Sequence, residues 1–389
     1  MGFTGSYAQR IEKLPPYLFV EIDRLKNEAL KQGKDIIDIG IGDPDIPTPA
    51  VIVEAMKRAV ENPAHHRYPS TQGMMSFRET AATWCKNRFG IDIDPAKQVC
   101  ALIGSKEGIA NIPLAFVNPG DVVLVPDPGY PVYKSSTLFC GGVIHLMPLR
   151  EENGFMPDLS AIPADVAKKA KLMFINYPNN PTSAVATADF FREVVDFAVK
   201  NEIIVCHDAA YSEVAFDSYR APSFLETPGA GAVGVEFHSL SKTFCMTGWR
   251  LGFAVGNPEV ISGLAKIKSN IDSGAFQAIQ EAGIVALTKA LGVAGNIYKV
   301  FERRRDVFAQ GLRKIGLEFE MPKATFYIWI KVPKPYTSAQ FAKKLLEQAD
   351  IVMTPGTGFG VNGEGYIRAA LTVPEERLKE AVSRIEKLL

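Results

Sequence analysis

The middle of the chain alternates two kinds of apolar pattern. Short runs at 122–125, 172–175, 203–206, 233–237 and 251–255 are nearly all apolar, often β-branched, and bounded by turn residues. Runs of that length and purity predict strands buried on both faces, as in a parallel sheet covered by helices. Between them lie longer segments, such as 189–200, whose apolar residues recur at helical spacing.

The two ends read differently. Residues 6–32 hold a Pro15-Pro16 pair followed by a charged amphipathic helix, and 297–315 predicts a long, arginine-rich helix leading out of the central part. After it the pattern gives a strand at 326–330, a helix at 338–348, a strand at 365–371 and a helix at 374–388. The expected fold class is therefore α/β. A large domain at 49–290 carries a mostly parallel central sheet sandwiched by helices, and a smaller α+β domain is built from both termini, 1–48 and 291–389.

Composition narrows the function classes. The chain has 389 residues, 47% hydrophobic and 22% charged, enough for a large core without a metal or disulfide staple. Lys plus Arg equals Asp plus Glu at 43 each, which argues against a nucleic-acid partner, since that needs an uncompensated basic surface. The five cysteines are scattered without a C-x-x-C pair, so neither a zinc site nor a disulfide framework is expected and no metal is assigned. No apolar run approaches the ~20 residues of a membrane span, and residues 1–16 lack the apolar core of a signal peptide. The expected location is cytoplasmic.

Candidate chemistry collects just past the predicted strand ends. Asn180 follows the strand ending at Ile175, Asp208 and Tyr211 follow the one ending at Cys206, and Ser239, Ser241 and Lys242 follow the one ending at Phe237. In an open parallel sheet ligands bind at that edge, so these residues should converge. A carboxylate, an amide, a phenol and a lysine at one edge are the parts of a pyridoxal-phosphate site.

The run from Ser239 to Gly252, SLSKTFCMTGWRLG, resembles the lysine signature of the class I/II (fold-type I) aminotransferases. The resemblance extends from the turn at Gly42 to Arg368. Segments 10–19, 66–69, 104–108 and 269–274 are similar to the members that act on LL-diaminopimelate. The resemblance implies pyridoxal 5'-phosphate as cofactor, with Lys242 forming an imine with it and moving the substrate proton. It implies Asp208 at the pyridine nitrogen, Asn180 and Tyr211 at the ring oxygen, and Tyr130 stacked on the ring. Ser105, Lys106, Ser239, Ser241 and Arg250 would cradle the phosphate at a helix N-terminus. Tyr68 would reach the phosphate of a neighbouring subunit, which makes the active unit a homodimer with shared sites. Arg368, with Gly42 and Asn180, would bind the substrate carboxylate, a bidentate task that lysine performs poorly. Asn270 and Ser273 would add polar contacts to the far end of the substrate.

The implied reaction is ping-pong transamination between a small-molecule amino acid and a 2-oxo acid, here LL-diaminopimelate and 2-oxoglutarate in lysine biosynthesis. Alternatives on the same fold are transamination of aspartate, alanine, methionine or an aromatic amino acid, a C–S lyase, and a cofactor-binding regulator. A regulator of that kind usually appends a DNA-binding domain, and the pattern of elements here leaves no segment expected to form one. Two positions depart from the pattern. Residues 70–72 are Ser-Thr-Gln where plant-type members carry an acidic residue, and Ser183 stands where the glycine of Asn-Pro-Thr-Gly is usual. Two G-x-G-x-x-G matches, 229–234 and 358–363, lack the strand-turn-helix order of a dinucleotide site and read as loops. His65 and His66 read as a surface turn, and Arg303, Arg304 and Arg305 as a solvated helix face.

Overall fold

The predicted apolar runs become the inner strands of a seven-stranded sheet in the computed structural model, which describes residues 6–14 and 18–389. Apart from that sheet lies β1 (Ile37–Asp38). The sheet contains β2 (Val99–Leu102), β3 (Val122–Asp127), β4 (Val143–Pro148), β5 (Ala170–Asn176), β6 (Ile204–Asp208), β7 (Gly234–Ser239) and β8 (Gly252–Gly256). Their spatial order is β2-β8-β7-β6-β5-β3-β4. Strands β4, β3, β5, β6 and β7 pair in parallel. Strand β8 runs antiparallel to both β7 and β2. The sheet is thus mostly parallel with one reversed strand, and an all-apolar run gives no sign of its direction. Edge strand β4 escaped the apolar pattern because it is mostly half-exposed and carries His145 and Pro148.

Helices cover both faces. Helix α1 (Ser105–Phe116) follows β2, and α2 (Ala188–Asn201) lies where 189–200 predicted it. The Thr187 side chain accepts a hydrogen bond from Phe190 N to start α2, and Glu202 closes it in the left-handed region. Its apolar stripe of Phe190, Phe191, Val194, Val195 and Ala198 packs onto the sheet with Val205 and Ile175.

The smaller layer comprises α3 (Leu291–Lys314), β9 (Tyr327–Lys331), α4 (Ser338–Ala349), β10 (Ile351–Val352), β11 (Thr354–Pro355), β12 (Tyr366–Ala370) and α5 (Glu375–Glu386). Strands β11-β12-β9 form an antiparallel sheet, and β1 pairs in parallel with β10. Ile37 and Ile39 share one apolar cluster with Phe308, Ile328, Leu345 and Leu378, so the N-terminal strand is built into the C-terminal layer. Helix α3 begins six residues before the predicted 297, where Gly292 and Gly295 disguise a helical start. A helix, Leu18–Lys31, follows the Pro15-Pro16 pair, which itself lies outside the described residues.

Two surface expectations are corrected. Arg304 and Arg305 are buried. Arg304 forks onto Asp45 at 2.6 and 2.8 Å and donates to Leu371 O. Arg305 forks onto Asp217 at 2.6 and 3.0 Å and donates to Pro322 O. These carboxylates and carbonyls meet the donors of each guanidinium, which is what lets the charges leave water. His65 is also buried, with Nδ1 at 2.8 Å from Ala59 O, whereas His66 is exposed. The stretch 229–234 holds a helical turn, Ala230–Val233, leading into β7, and 358–363 falls in two short 3-10 turns. All five cysteines are free. Among the described residues no single helix is long and apolar enough to cross a membrane, and no cluster has the makings of a metal site.

Candidate active site

The parallel strands end in register, with Asn176 beside Asp208 and Asp208 beside Phe237. A cavity of about 390 Å³ opens at this edge. Gly42, Ser105, Lys106, Tyr130, Asn180, Asp208, Tyr211, Ser239, Ser241, Lys242, Arg250 and Arg368 all line it. Tyr68 and Asn270 do not. Tyr68 is 88% exposed and borders a separate depression with Pro69, Ser273 and Gly274. Asn270 is exposed, and its amide donates to Lys266 O at 2.9 Å.

Lys242 sits on the single helical turn Leu240–Thr243 that directly follows β7, capped by the Ser239 hydroxyl accepting from Ser241 N. Its Nζ donates to Gly42 O at 2.8 Å. Burial lowers its pKa to about 8; Asp43 opposes the shift, while Arg368 and Arg250 reinforce it. Between about 8 and 10.5 an unfolded chain would hold more protons at this lysine than the folded one, so folding gains stability as pH rises through that window. Modification of Lys242 by a small aldehyde in coenzyme-free protein should accordingly rise through pH about 8, followed by mass spectrometry of the reduced adduct. A midpoint near ~10.4, the ordinary lysine value, would contradict the desolvation argument.

Asp208 ends β6 and is buried. The Tyr133 hydroxyl donates to its Oδ2 at 2.8 Å, and its Oδ1 has no hydrogen-bond partner. Burial raises the Asp208 pKa, opposed by the Tyr133 hydrogen bond, by His207 and by the Ala210 N–H. A buried polar atom left unpaired costs about 1–3 kcal/mol, so this oxygen marks a place built for a donor. Tyr133 was missed in the sequence, although it follows Tyr130 by only three residues. It is fully buried and stacked on Phe174 at 4.9 Å, and burial raises its pKa well above the usual phenol range, so it stays a donor.

Around the start of α1 the chain gathers groups able to donate to an anion. Gly104, at φ +74, leaves no room for a Cβ because the Arg250 guanidinium fills that space. A Cβ on Gly252 would stand 2.8 Å from Ser105 N. These two glycines let Arg250 and the first N–H of α1 close on one point, where the helix end presents unpaired donors. Arg250 is itself left-handed at φ 56 and donates to Thr247 O. Lys106 Nζ lies 5.8 Å from the Tyr130 ring centre.

On the opposite wall Arg368 donates to Asn180 Oδ1 and to Gly40 O, both at 2.7 Å. Tyr327 and Phe359 face its guanidinium at 4.2 and 4.7 Å, and its buried Nε has no partner. The Tyr327 hydroxyl meets that of Tyr211 at 2.9 Å and occupies the space a Cβ on Gly42 would need. Asn176 donates to Asp208 O at 2.7 Å and accepts from Asn180 N at 2.8 Å, tying two site loops together. Ser183 adopts φ 62, which explains why glycine is the usual residue. Its hydroxyl instead bonds Tyr327 O at 2.8 Å and Thr325 Oγ1 at 3.0 Å, which fastens the Asn180 loop to β9. Asn176, Tyr327 and Phe359 were not singled out in the sequence. Asn176 alone carried a signal, as the last polar residue of a strand at the ligand-binding edge.

An active site of this layout, at the edge of a mostly parallel sheet and under a smaller α+β layer, defines a fold-type I aminotransferase. The family model described as aminotransferase class I and II matches residues 34–385, and the chain belongs to that pyridoxal-phosphate-dependent family. It is 58% identical to a protein of Syntrophobacter fumaroxidans and 56% identical to one of Moorella thermoacetica, each over 98% of both chains. Both relatives are named LL-diaminopimelate aminotransferase. Among solved structures, substrate-bound BacF from Bacillus subtilis superposes with a TM-score of 0.95 at 38% identity, covering 99% of this chain and 98% of its own.

Proposed function

We propose that this cavity holds pyridoxal phosphate and that the chain transaminates LL-diaminopimelate with 2-oxoglutarate. The observation that carries the coenzyme reading is that Lys242 and the unpartnered Asp208 Oδ1 line one cavity. The residues fit the group. The α1 N-terminus with Ser105, Lys106, Ser239, Ser241 and Arg250 suits a phosphate, Asp208 Oδ1 a ring N–H, Asn180 and Tyr211 a ring oxygen, and Tyr130 the ring face. Bound there, the coenzyme supplies an aldehyde and an electron-withdrawing ring. Arg368 holds the α-carboxylate of the amino donor through its free N–H. Lys242, whose burial lowers its pKa to about 8, takes the proton from the donor's Cα.

The active unit in this reading is a homodimer, in which the outward-facing Tyr68 serves the cradle of the second copy and Asn270 and Ser273 lie near the same seam. A reducing cytoplasm suits the five unpaired cysteines. The substrate rests on the relatives, 56–58% identical over nearly the whole chain. The test is a comparison of kcat/KM for LL-diaminopimelate and for aspartate, each with 2-oxoglutarate. The expected ratio is large, because a site that leaves polar groups unpaired with the wrong substrate discriminates by ~10⁴ or more. Equal or better activity on aspartate would reject the narrow substrate and leave the coenzyme reading standing.

A further inference from the structure

Behind the sheet, on the face away from the cavity, lies a charged cluster that the reaction does not use directly. Side chains alternate along β6, so His207 points opposite to Asp208. The register sets His207 beside Glu236 of β7, and His238 lies two residues further along the same face. The three side chains are buried. His207 Nδ1 is 2.8 Å from Glu236 Oε2, and its Nε2 is 2.9 Å from the Tyr177 carbonyl oxygen. Glu236 also accepts from Phe224 N at 2.9 Å and from the Ser223 hydroxyl, and His238 Nε2 stands 2.7 Å from Oε1. Burial opposes ionisation of Glu236, yet the imidazoles hold its carboxyl well below the ordinary range.

A carbonyl oxygen has no proton to give, and a carboxylate has none either. Both ring nitrogens of His207 therefore face acceptors, which a neutral imidazole could satisfy on one side only. The rings of Phe191 and Phe224 pack edge-on against the imidazole at 5.3 and 6.3 Å, and His207 has no exposed surface. We propose that His207 is held as an imidazolium and is a positioning residue whose charge keeps Asp208 ionised from behind the sheet. Its consequence for catalysis rests on the coenzyme reading given above. The titratable groups around His207 are Glu236, His238 and Asp208. Those around Asp208 are Tyr133, Tyr211, His207 and His238. Against the desolvation that drives Asp208 towards its neutral form, both imidazoles act in the opposing sense, and His207 is the adjacent residue.

The test begins with nitrogen-15 NMR of histidine-labelled, full-length protein with and without pyridoxal phosphate. With five histidines in the chain, His207 is assigned by its loss in His207→Gln. In the folded protein at neutral pH both its nitrogens should carry protons, as its two acceptors require. One bare nitrogen would overturn the proposal. The second readout is the pH dependence of pyridoxal-phosphate affinity, followed by fluorescence. His207→Gln should match the parent at alkaline pH and lose affinity about tenfold on the acid side, its acid limb displaced upward by about one pH unit. An unmoved limb, even with a lowered Tm, would reduce His207 to a packing role. Failure of the parent protein to bind pyridoxal phosphate would reject the coenzyme reading instead, and the NMR result would still decide the charge.

Discussion

Replacing Lys242 by alanine is expected to lower kcat/KM by at least about 10⁴-fold, since in the proposed mechanism it removes both the residue that captures the coenzyme and the base that moves the substrate proton. The fold should persist. Lys242 contributes one hydrogen bond, to Gly42 O, and its amine is buried at a cost that depresses its pKa to about 8. The turn that carries it is held by its neighbours, with Leu240 and Thr243 buried and the Ser239 cap untouched. Circular dichroism and a thermal melt check the fold, and single-turnover assays check the chemistry. A folded variant that still transaminates at the parent rate would remove Lys242 from the mechanism. Lys242→Arg separates charge from chemistry, because arginine keeps a cation here but does not deprotonate, and it should be as inactive as alanine.

The legible part of this fold is the part where burial leaves no choice of residue. Strands covered on both faces need no polar residues, so β3, β5, β6, β7 and β8 showed as plain apolar runs. Their common edge then located the candidate site without any side-chain geometry. What stayed hidden depends on distant partners. Arg304 and Arg305 looked solvated because their carboxylates, Asp45 and Asp217, lie 259 and 88 residues away. Tyr327 and Phe359 come from the smaller layer, as Arg368 does, and only the pairing of β9 with β12 and the docking of that layer bring them to the cavity. The link from Gly129 N to Phe359 O, at 2.9 Å, is one such docking contact. Ser183 was legible as a departure from pattern, but the compensation by Thr325 and Tyr327 was not. His207 and Glu236 were hidden for a related reason. Single polar residues in apolar runs read as exceptions until the register sets them side by side.

Arg368 is expected to give the second large loss. Its guanidinium is buried, clamped by Asn180 Oδ1 and Gly40 O, and covered by the faces of Tyr327 and Phe359. Two of its nitrogens are fixed by protein acceptors, while Nε has none, so the fork is oriented before any ligand arrives. Preorganisation of this kind spares the substrate the entropy of ordering a long side chain. Truncating one partner of a buried, hydrogen-bonded charge pair costs about 2–5 kcal/mol, or about 30- to 5,000-fold in affinity. Arg368→Gln should therefore raise KM for the amino donor and for the oxo acid together, since in the proposed mechanism both present an α-carboxylate to the same group. Arg368→Lys keeps the charge but loses the planar fork, and an ammonium cannot reach Asn180, Gly40 and a carboxylate in one plane, so it should recover only part of the loss. Steady-state KM values for both substrates decide it, with binding of pyridoxal phosphate as the control. A glutamine variant with parent KM values would mean that the carboxylate binds elsewhere. A variant that lost the coenzyme as well would point to collapse of the Asn180 loop, because Asn180 is bonded to Arg368 on one side and to Asn176 on the other.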